Sequence, residues 1–127
     1  MNDTIDHLKE ARSIIEKPEH WCKGKYAMDD KGNAACVDGS QAVAWCMLGA
    51  VHKAILTFSK RHSPEIFIRY TEATRALAYS LGNTVLTLSV YNDTHTHEEV
   101  IALLDKAIAL IAQSFSEAKS ISTLEQA

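Results

Sequence analysis

The sequence predicts a mainly α protein, a compact four-helix bundle around a buried central helix, with a small β-hairpin or extended insert. Three observations support this fold class. Apolar residues recur at three- and four-residue steps in three separate segments, which is the pattern of amphipathic helices. Residues 42–51 are apolar on every side, as expected of a helix surrounded by others. Polar, glycine-bearing clusters between these segments are typical of turns.

The first predicted element is an amphipathic helix from Thr4 to Lys17. Charged side chains separate its apolar positions, so one stripe faces the core. Pro18 ends the helix, because the residue before a proline is pushed out of helical geometry. The apolar stripe consists of Ile5, Leu8, Ala11, Ile14 and Ile15.

A small β-hairpin is expected next. The polar stretch Asp29–Asn33 contains a glycine and favours a turn. Residues 20–28 precede this turn and residues Ala34–Val37 follow it, so these two segments are the expected strands. Strands this short need a helix packed against them to be stable.

The central helix is predicted from Gln41 to about Phe58. Side-chain oxygens in Asp38-Gly39-Ser40 can cap its first turn. Because its first half has no polar face, this helix belongs at the centre of the bundle. Gly49 lets a neighbouring backbone approach closely.

A third helix has a strong start signal in Ser63-Pro64-Glu65. The signal combines a capping serine, a proline at the first helical position and an acidic residue near the positive helix end. Gly82 is a natural stop. The apolar stripe of this helix consists of Ile66, Tyr70, Ala73, Leu77 and Leu81.

The segment Asn83–Asp93 is ambiguous. Residues 85–91 partly alternate as a strand does, but a short buried helical turn fits equally, and periodicity cannot separate the two over so few residues. Thr96 and Glu99 then form a capping-box pattern that begins the last helix. The apolar face of that helix consists of Val100, Leu104, Ala107, Ile111 and Phe115.

Length and composition indicate a single domain. Of the 127 residues, 46% are hydrophobic and 23% are charged, so residues 1–127 are expected to form one helical domain with about 116–127 as a frayed tail. The net charge of −3 gives no general attraction to phosphate backbones or anionic lipid, which disfavours nucleic acid as a partner.

Location is expected to be cytoplasmic. The acidic N-terminal segment lacks the features of a signal peptide, and no apolar run approaches the roughly 20 residues that span a bilayer. The three cysteines are an odd number, which favours reduced thiols over a disulfide framework.

Two Trp-Cys pairs, Trp21-Cys22 and Trp45-Cys46, are the most conspicuous local feature. A catalytic thiol needs a pKa lowered by a nearby histidine, cation or helix N-terminus. Cys46 lies in an apolar stretch, so we interpret it as a core residue. Cys22 stands in a polar loop and is interpreted as structural, with catalysis kept as the alternative. That alternative would use Cys22, His95 and Asp93.

Metal binding is not predicted. Structural zinc sites normally pair ligands two to four residues apart, whereas here the close pairs are separated by a single residue. We therefore predict neither a metal nor another cofactor. The side chains considered are His20, Cys22, Cys36, His95 and His97.

A second cluster of polar and titratable groups lies just before the last helix. The segment Tyr91–Glu98 suits an anionic ligand, or acid–base chemistry by His95 or Asp93. Asparagine, aspartate and threonine are equally what turns and caps require, so a structural role is favoured. The candidate ligand-binding residues are Trp21, Tyr91, Asn92, Asp93, His95 and His97.

Five motifs occur in a fixed order: Trp21–Gly24, Asp29–Gly32, Ala42–Ala50, Asn92-Asp93 and Glu99–Ile108. This order resembles an uncharacterised family of short bacterial and phage proteins, a domain of unknown function. The resemblance spans Ala11 to about Ile111 and implies no activity. The family's Pro-Gly-Arg-Thr-like turn after Asn-Asp is replaced here by Thr94-His95-Thr96. The resemblance implies a role, in folding or in a site, for Trp21, Trp45, Cys46, Asn92 and Asp93.

No complete catalytic constellation accompanies these motifs: the sequence has no nucleophile elbow, phosphate loop or paired-carboxylate spacing. We therefore expect a non-enzymatic binding or interaction protein, associated with phage or another mobile element, that occupies a partner protein or a small ligand. Self-association into a homo-oligomer is an open alternative. The rival hypothesis is a small hydrolase or transferase that depends on Cys22 and a histidine.

Overall fold

The protein is mainly α-helical, as predicted. The computed structural model describes residues 3–59 and 63–126, with side chains as far as Ser114. Two 3₁₀ turns, Pro18–His20 and Val85–Thr87, connect the longer elements. Those elements are α1 (Asp3–Ile14), β1 (Ala27–Met28), β2 (Ala44–Trp45), α2 (Met47–Phe58), α3 (Pro64–Leu81), α4 (Leu88–Thr94) and α5 (His97–Gln126).

The first helix is shorter than predicted. It ends at Ile14 instead of Lys17, so the chain leaves helical geometry before it reaches Pro18. Pro18 opens the 3₁₀ turn, because its fixed φ suits a first helical position. The predicted apolar stripe does face the core, since Leu8, Ala11 and Ile15 are fully buried.

The predicted hairpin partner is wrong. β1 pairs antiparallel with β2, in the register Ala27↔Trp45 and Met28↔Ala44. The segment expected to pair, Ala34–Val37, contributes only an isolated bridge between Ala34 and Met28. The turn at Asp29–Asn33 does form, because the Asp29 carboxylate accepts two backbone N–H groups within it.

The predicted start of the central helix is also wrong. The helix begins at Met47, with Cys46 as its N-cap, and Ala44–Trp45 is a strand. A strand that crosses the core is apolar on both faces, and so is a fully buried helix, so hydrophobic periodicity does not distinguish the two. The predicted cap at 38–40 lies in a turn instead.

The central position of α2 is confirmed. It packs against α1, α3 and α4, while α5 lies across α1 and α3. Trp45 and Leu48 are buried, at 9% and 7% exposure, as the predicted architecture requires. The fully buried residues of α2 are Met47, Ala50, Val51, Ala54 and Ile55.

The third helix has the predicted ends. Ser63 Oγ accepts a hydrogen bond from the Glu65 backbone N–H at 3.2 Å, which satisfies a donor of the first helical turn. Gly82 ends the helix at φ 77°, in the left-handed conformation that glycine adopts without steric strain. Ala73 and Leu77 of the predicted stripe are fully buried, and the other three stripe residues are partly buried.

The ambiguous segment is helical. Residues 85–87 form a 3₁₀ turn that leads into α4, so the described residues contain five α-helices instead of four. The capping box of α5 forms as predicted: Thr96 N–H donates to Glu99 Oε1 at 2.9 Å, and Glu99 N–H donates to Thr96 Oγ1 at 3.2 Å.

The last helix, α5, extends over most of the C-terminal part of the chain. The helical backbone continues to Gln126. Two predictions fall on side chains outside the described residues. They are the burial of Phe115 in the apolar stripe and the fraying of the tail at 116–127. None of the described helices is long and apolar enough to cross a bilayer.

His7 is a buried histidine between α1 and the end of α2. Its side chain is 4% exposed, its ring packs 5.3 Å from the Phe58 ring, and Nδ1 has no hydrogen-bond partner among the described residues. Burial lowers the pKa of His7, since the charged form loses its hydration, and Arg69 lowers it further. The nearby carboxylates of Asp3, Asp6 and Glu72 oppose this shift.

This histidine predicts a pH dependence of stability. Below the ordinary value of 6.5, the unfolded chain binds a proton at His7 more readily than the folded chain does. Stability is therefore fully present above pH 6.5 and falls as the pH drops from there toward the lowered folded pKa. The variant His7→Phe keeps a ring against Phe58 and removes the titrating group. The midpoint of urea unfolding should fall between pH 7.5 and pH 5 by a smaller amount in this variant than in the wild type. An equal fall in both proteins would contradict the prediction.

Candidate functional site

The Asn92 side chain joins three separate segments of the chain. Its Oδ1 accepts hydrogen bonds from Trp21 Nε1 at 2.7 Å and from the Met47 backbone N–H at 3.0 Å. Its Nδ2 donates to the Cys22 carbonyl at 3.1 Å. The side chain is only 1% exposed, so these bonds satisfy groups that water does not reach. Asn92 therefore ties α4 to the start of α2 and to the loop before β1.

The two Trp-Cys pairs lie side by side. Trp21 and Trp45 form an isolated parallel bridge, and the Cys22 backbone N–H donates to the Trp45 carbonyl at 3.1 Å. The Trp45 indole N–H donates to the Val37 carbonyl at 2.8 Å. The two Trp-Cys pairs thus meet at one isolated backbone bridge.

Asp93 extends this network to the surface. Its Oδ1 accepts the Gly24 backbone N–H at 2.9 Å and Asn92 Nδ2 at 3.2 Å. Gly24 belongs to the first Trp-Cys-x-Gly motif, so the Asn-Asp motif holds that loop in place. The cleft beside these residues measures about 170 Å³, which is below the roughly 300 Å³ of the smallest usual ligand sites.

Cys22 is buried. The residue is 6% exposed, and its thiol donates to the Lys25 carbonyl at 3.6 Å. Burial, with a smaller contribution from Cys46, raises the pKa of Cys22 to about 11. Among the described residues, no histidine nitrogen lies within hydrogen-bonding distance of this thiol. The geometry therefore does not bring the predicted Cys22 and His95 together.

Thiol reactivity tests this placement. At pH 8, a Cys22 pKa of about 11 in place of the ordinary 9.0 lowers the thiolate population of this residue about 100-fold. We expect iodoacetamide at pH 8 to alkylate the exposed Cys36 first, and to alkylate Cys22 on the order of 100-fold more slowly than a free thiol. Time-resolved peptide mass spectrometry reports the three cysteines separately. Rapid labelling of Cys22 in the folded protein would favour the hydrolase or transferase hypothesis.

Cys46 is a core residue, as predicted, and also a helix cap. Its Sγ accepts the Gly49 backbone N–H at 3.3 Å, at the first turn of α2. Burial raises the pKa of the Cys46 thiol, while backbone N–H groups, Gly49 first, lower it in part.

Tyr91 and His95 form a separate pair at the end of α4. Their rings stack with centroids 3.8 Å apart. His95 Nδ1 lies 2.9 Å from the Tyr91 carbonyl and 3.0 Å from Thr94 Oγ1, and the Tyr91 hydroxyl donates to the Glu99 carbonyl at 3.4 Å. These contacts close the turn between α4 and α5.

His97 lies beside Trp21, with ring centroids 5.7 Å apart. Its Nε2 lies 2.6 Å from the Ile15 carbonyl, which can only accept, so Nε2 carries the proton. Across residues 3–59 and 63–114, no cluster of three or more His, Cys, Asp or Glu side chains is arranged to hold a metal ion. Of the candidates from the sequence, Trp21, Asn92, Asp93 and His97 are therefore linked in one network, while Tyr91 and His95 form a separate stacked pair.

A larger cavity, which the sequence reasoning missed, lies between α2 and α3. Its volume is about 540 Å³, within the range of small-molecule sites. The residues come from three separate segments, so no local motif marks them. The residues lining the cavity are Asp38, His52, Leu56, Ser63, Ile66, Phe67 and Tyr70.

Two aromatic polar groups shape this cavity. The His52 and Tyr70 rings meet edge to face, with centroids 6.0 Å apart. Burial raises the pKa of Tyr70 to about 12, with Tyr26 and Cys46 adding to the effect, so its hydroxyl remains a neutral donor at physiological pH. The sequence signal that could have found the site is the run Ile66-Phe67-Ile68, which is broader than one core-facing stripe.

Comparison with known proteins gives a family but no activity. No curated protein and no solved structure matches the chain. The sequence model of a family of unknown function, DUF6197, matches residues 1–110. This match includes both Trp-Cys pairs, the Asn-Asp motif and every residue that lines the cavity, and it ends within α5. The chain therefore belongs to this family of unknown function.

Proposed function

We propose that the protein is a non-enzymatic binding protein that holds a small ligand in the cavity between α2 and α3. Sequence reasoning left a partner protein and a small ligand as alternatives. The size of this cavity favours the small ligand, since about 540 Å³ accommodates a molecule of one or two rings.

The proposal rests mainly on the lack of hydrogen-bond partners, among the described residues, for two polar side chains in the cavity wall. The Tyr70 hydroxyl and the His52 ring nitrogens make no hydrogen bond to any described residue. Elsewhere, by contrast, the indole nitrogens of Trp21 and Trp45 and the Asn92 amide are all paired with protein groups. A few polar groups in the wall of a mostly apolar pocket are the usual means of orienting a ligand.

The rim of the cavity supports the same conclusion. Phe67 lines the cavity with 76% of its surface exposed, although the aromatic side chain gains free energy from burial. Leu56 and Ile66 supply an apolar wall behind it. A ligand in the cavity would cover the exposed ring.

The experiment is a screen of small aromatic fragments, with neutral, cationic and anionic members, followed by ¹H–¹⁵N NMR. Binding should shift the amide resonances around His52, Phe67 and Tyr70. The variant Ile66→Trp fills the cavity and should abolish the shifts. Its matched control, Ile68→Trp, makes the same change on α3 at an exposed residue that does not line the cavity, and should retain them.

Two outcomes would overturn the proposal: no fragment shifts these resonances, or Ile66→Trp leaves the shifts unchanged. Shifts produced only by a protein from the host would favour the partner-protein alternative instead. The proposal also includes a cytoplasmic location, which the free thiols of Cys22, Cys36 and Cys46 favour.

A further inference from the structure

We infer that the outward face of α3 is a dimerisation surface, which binds the same face of a second copy of this chain in the antiparallel direction. This α3 face consists of four exposed residues at three- and four-residue steps, so that they lie along one side of the helix. The residues are Ile68, Glu72, Arg75 and Tyr79. None of them lines the cavity between α2 and α3, so the inference is separate from the proposed ligand site.

The two ends of the α3 face are apolar. Ile68 is 53% exposed and Tyr79 is 79% exposed. The opposite side of the same helix supplies the core, where Ala73 and Leu77 are fully buried. Ile68 and Tyr79 therefore lie outside the core of one subunit. Covering them in an interface would remove apolar surface from water, which is the main favourable contribution to association.

The middle of the α3 face carries charges of both signs. Arg69 pairs with Asp3 at 3.4 Å, with Glu65 at 3.1 Å and with Glu72 at 3.1 Å. One guanidinium does not neutralise three carboxylates, so the surface around Glu72 keeps an excess of negative charge. Arg75, about one turn further along α3, is exposed and forms no ion pair or hydrogen bond with any described residue.

The pattern of the α3 face is complementary to itself. From Ile68 to Tyr79 the order is apolar, acidic, basic, apolar, and in the reverse direction it is apolar, basic, acidic, apolar. In a two-fold antiparallel pair, Ile68 therefore lies opposite the partner's Tyr79, and Glu72 lies opposite the partner's Arg75. The symmetry repeats both contacts, as in any isologous interface. This self-complementarity is the reason to assign a second copy as the partner.

The surface next to Tyr79 gives the second copy room to pack. A hollow of about 330 Å³ lies between α3 and α5, and Tyr79, Ala76, Leu110 and Ile111 are part of its lining. An apolar side chain of the other subunit can enter such a hollow, as a knob enters a hole between paired helices. The face of one helix is smaller than a standard interface, so we expect a dissociation constant on the order of 10 µM.

Sedimentation velocity measures the association directly. At about 200 µM the wild type should have a mass near twice the 14.0 kDa of one chain, and at about 1 µM it should have the mass of one chain. A single chain at about 200 µM would overturn the inference.

A charge reversal tests the middle of the α3 face. Arg75→Glu places a carboxylate opposite Glu72 at both symmetric contacts, and should weaken dimerisation about ten-fold or more. Lys9→Glu makes the same reversal on an exposed residue of α1, outside the face, and should leave dimerisation unchanged. Equal dimerisation of Arg75→Glu and the wild type would overturn the assignment of this face.

Mixing two variants tests the antiparallel arrangement. Glu72→Lys and Arg75→Glu should each dimerise poorly alone, because like charges then lie opposite each other. An equimolar mixture should form a heterodimer, since both contacts between the two different chains join opposite charges. Both chains should first show the wild-type circular dichroism spectrum. Folded variants that form no heterodimer would overturn the arrangement.

A variant at the apolar end gives a reading if Glu72→Lys does not fold. Tyr79→Asp changes an exposed residue and should weaken dimerisation about ten-fold or more, because it places a charge against the partner's Ile68. Leu86→Asp is the matched control, because Leu86 is 87% exposed and lies outside the α3 face. Dimerisation that is weakened equally in both variants, or in neither, would contradict the inferred interface.

Discussion

Replacing Asn92 by leucine should destabilise the protein by about 4 kcal/mol, since it strands three buried groups that each lose roughly 1–3 kcal/mol when unpaired. The groups are the Trp21 indole N–H, the Met47 backbone N–H and the Cys22 carbonyl. Leucine has the same branched arrangement of four side-chain heavy atoms, so the change removes the hydrogen bonds and keeps the shape of the side chain. Such a loss is a large part of the 5–15 kcal/mol that typically stabilises a domain.

Urea unfolding followed by circular dichroism measures this effect. Asn83→Leu is the matched control, because Asn83 is exposed and its side chain only accepts the Thr84 backbone N–H. The control should stay within about 1 kcal/mol of the wild type. Trp21→Phe, which removes one donor from Asn92, should lose about 1–2 kcal/mol and gives a reading if Asn92→Leu does not fold.

The result separates two explanations of the Asn-Asp motif. If Asn92→Leu has wild-type stability, then the motif is not a structural link, and Asn92 and Asp93 return to the list of ligand-binding candidates. If the loss is large, then the resemblance in this motif reflects folding, and the binding function has to be sought elsewhere, in the cavity lined by His52 and Tyr70.

The ends of α3 and the start of α5 could be predicted from the sequence, because the residues that cap these helices lie next to them in the chain. α3 has its serine cap, first-turn proline and terminal glycine within its own sequence, and α5 has its capping box. Each signal satisfies backbone groups of the same helix, so no distant residue is needed to interpret it. These helices begin, and α3 also ends, where the sequence predicted.

The strand at Ala44–Trp45 could not be predicted in this way. Its partner β1 lies on the other side of a long loop, and the pairing depends on Cys46 N–H bonding to the Tyr26 carbonyl at 3.2 Å. The segment 38–40 has the oxygens that caps require, but the helix is capped by the sulfur of Cys46. The apolar character of a segment does not show which other segment it will pair with.

In the candidate site, too, the sequence indicated individual residues but not the contacts between them. Trp21, Asn92 and Asp93 could be selected from their motifs, but the bond from Trp21 to Asn92 joins residues 71 positions apart. The contact between these two residues could therefore be recognised only once the fold was known. The cavity was missed because His52 and Phe67 resemble ordinary helix residues until α2 and α3 are placed side by side.

Gly49 should be the glycine least tolerant of alanine, although alanine is the better helix former by about 1 kcal/mol. A Cβ at Gly49 would lie 1.8 Å from the Tyr26 carbonyl oxygen and 2.7 Å from its carbon, so backbone atoms must separate. The separation breaks the hydrogen bond from Cys46 N–H to that oxygen and moves β1 away from α2. We expect Gly49→Ala to lose about 3 kcal/mol, the upper range of overpacking in a well-packed core.

The matched control for this substitution is Gly32→Ala. Gly32 has a φ of 84°, and a Cβ there would meet no atom within 4 Å, so the change carries only the strain of the left-handed conformation, about 1–2 kcal/mol. Urea midpoints should therefore rank the wild type first, Gly32→Ala second and Gly49→Ala last. If Gly49→Ala matches or exceeds the wild type, then β1 does not pack on α2 as described. The register of β1 against β2 would then also be wrong, because the hydrogen bond from Cys46 N–H to the Tyr26 carbonyl belongs to that pairing.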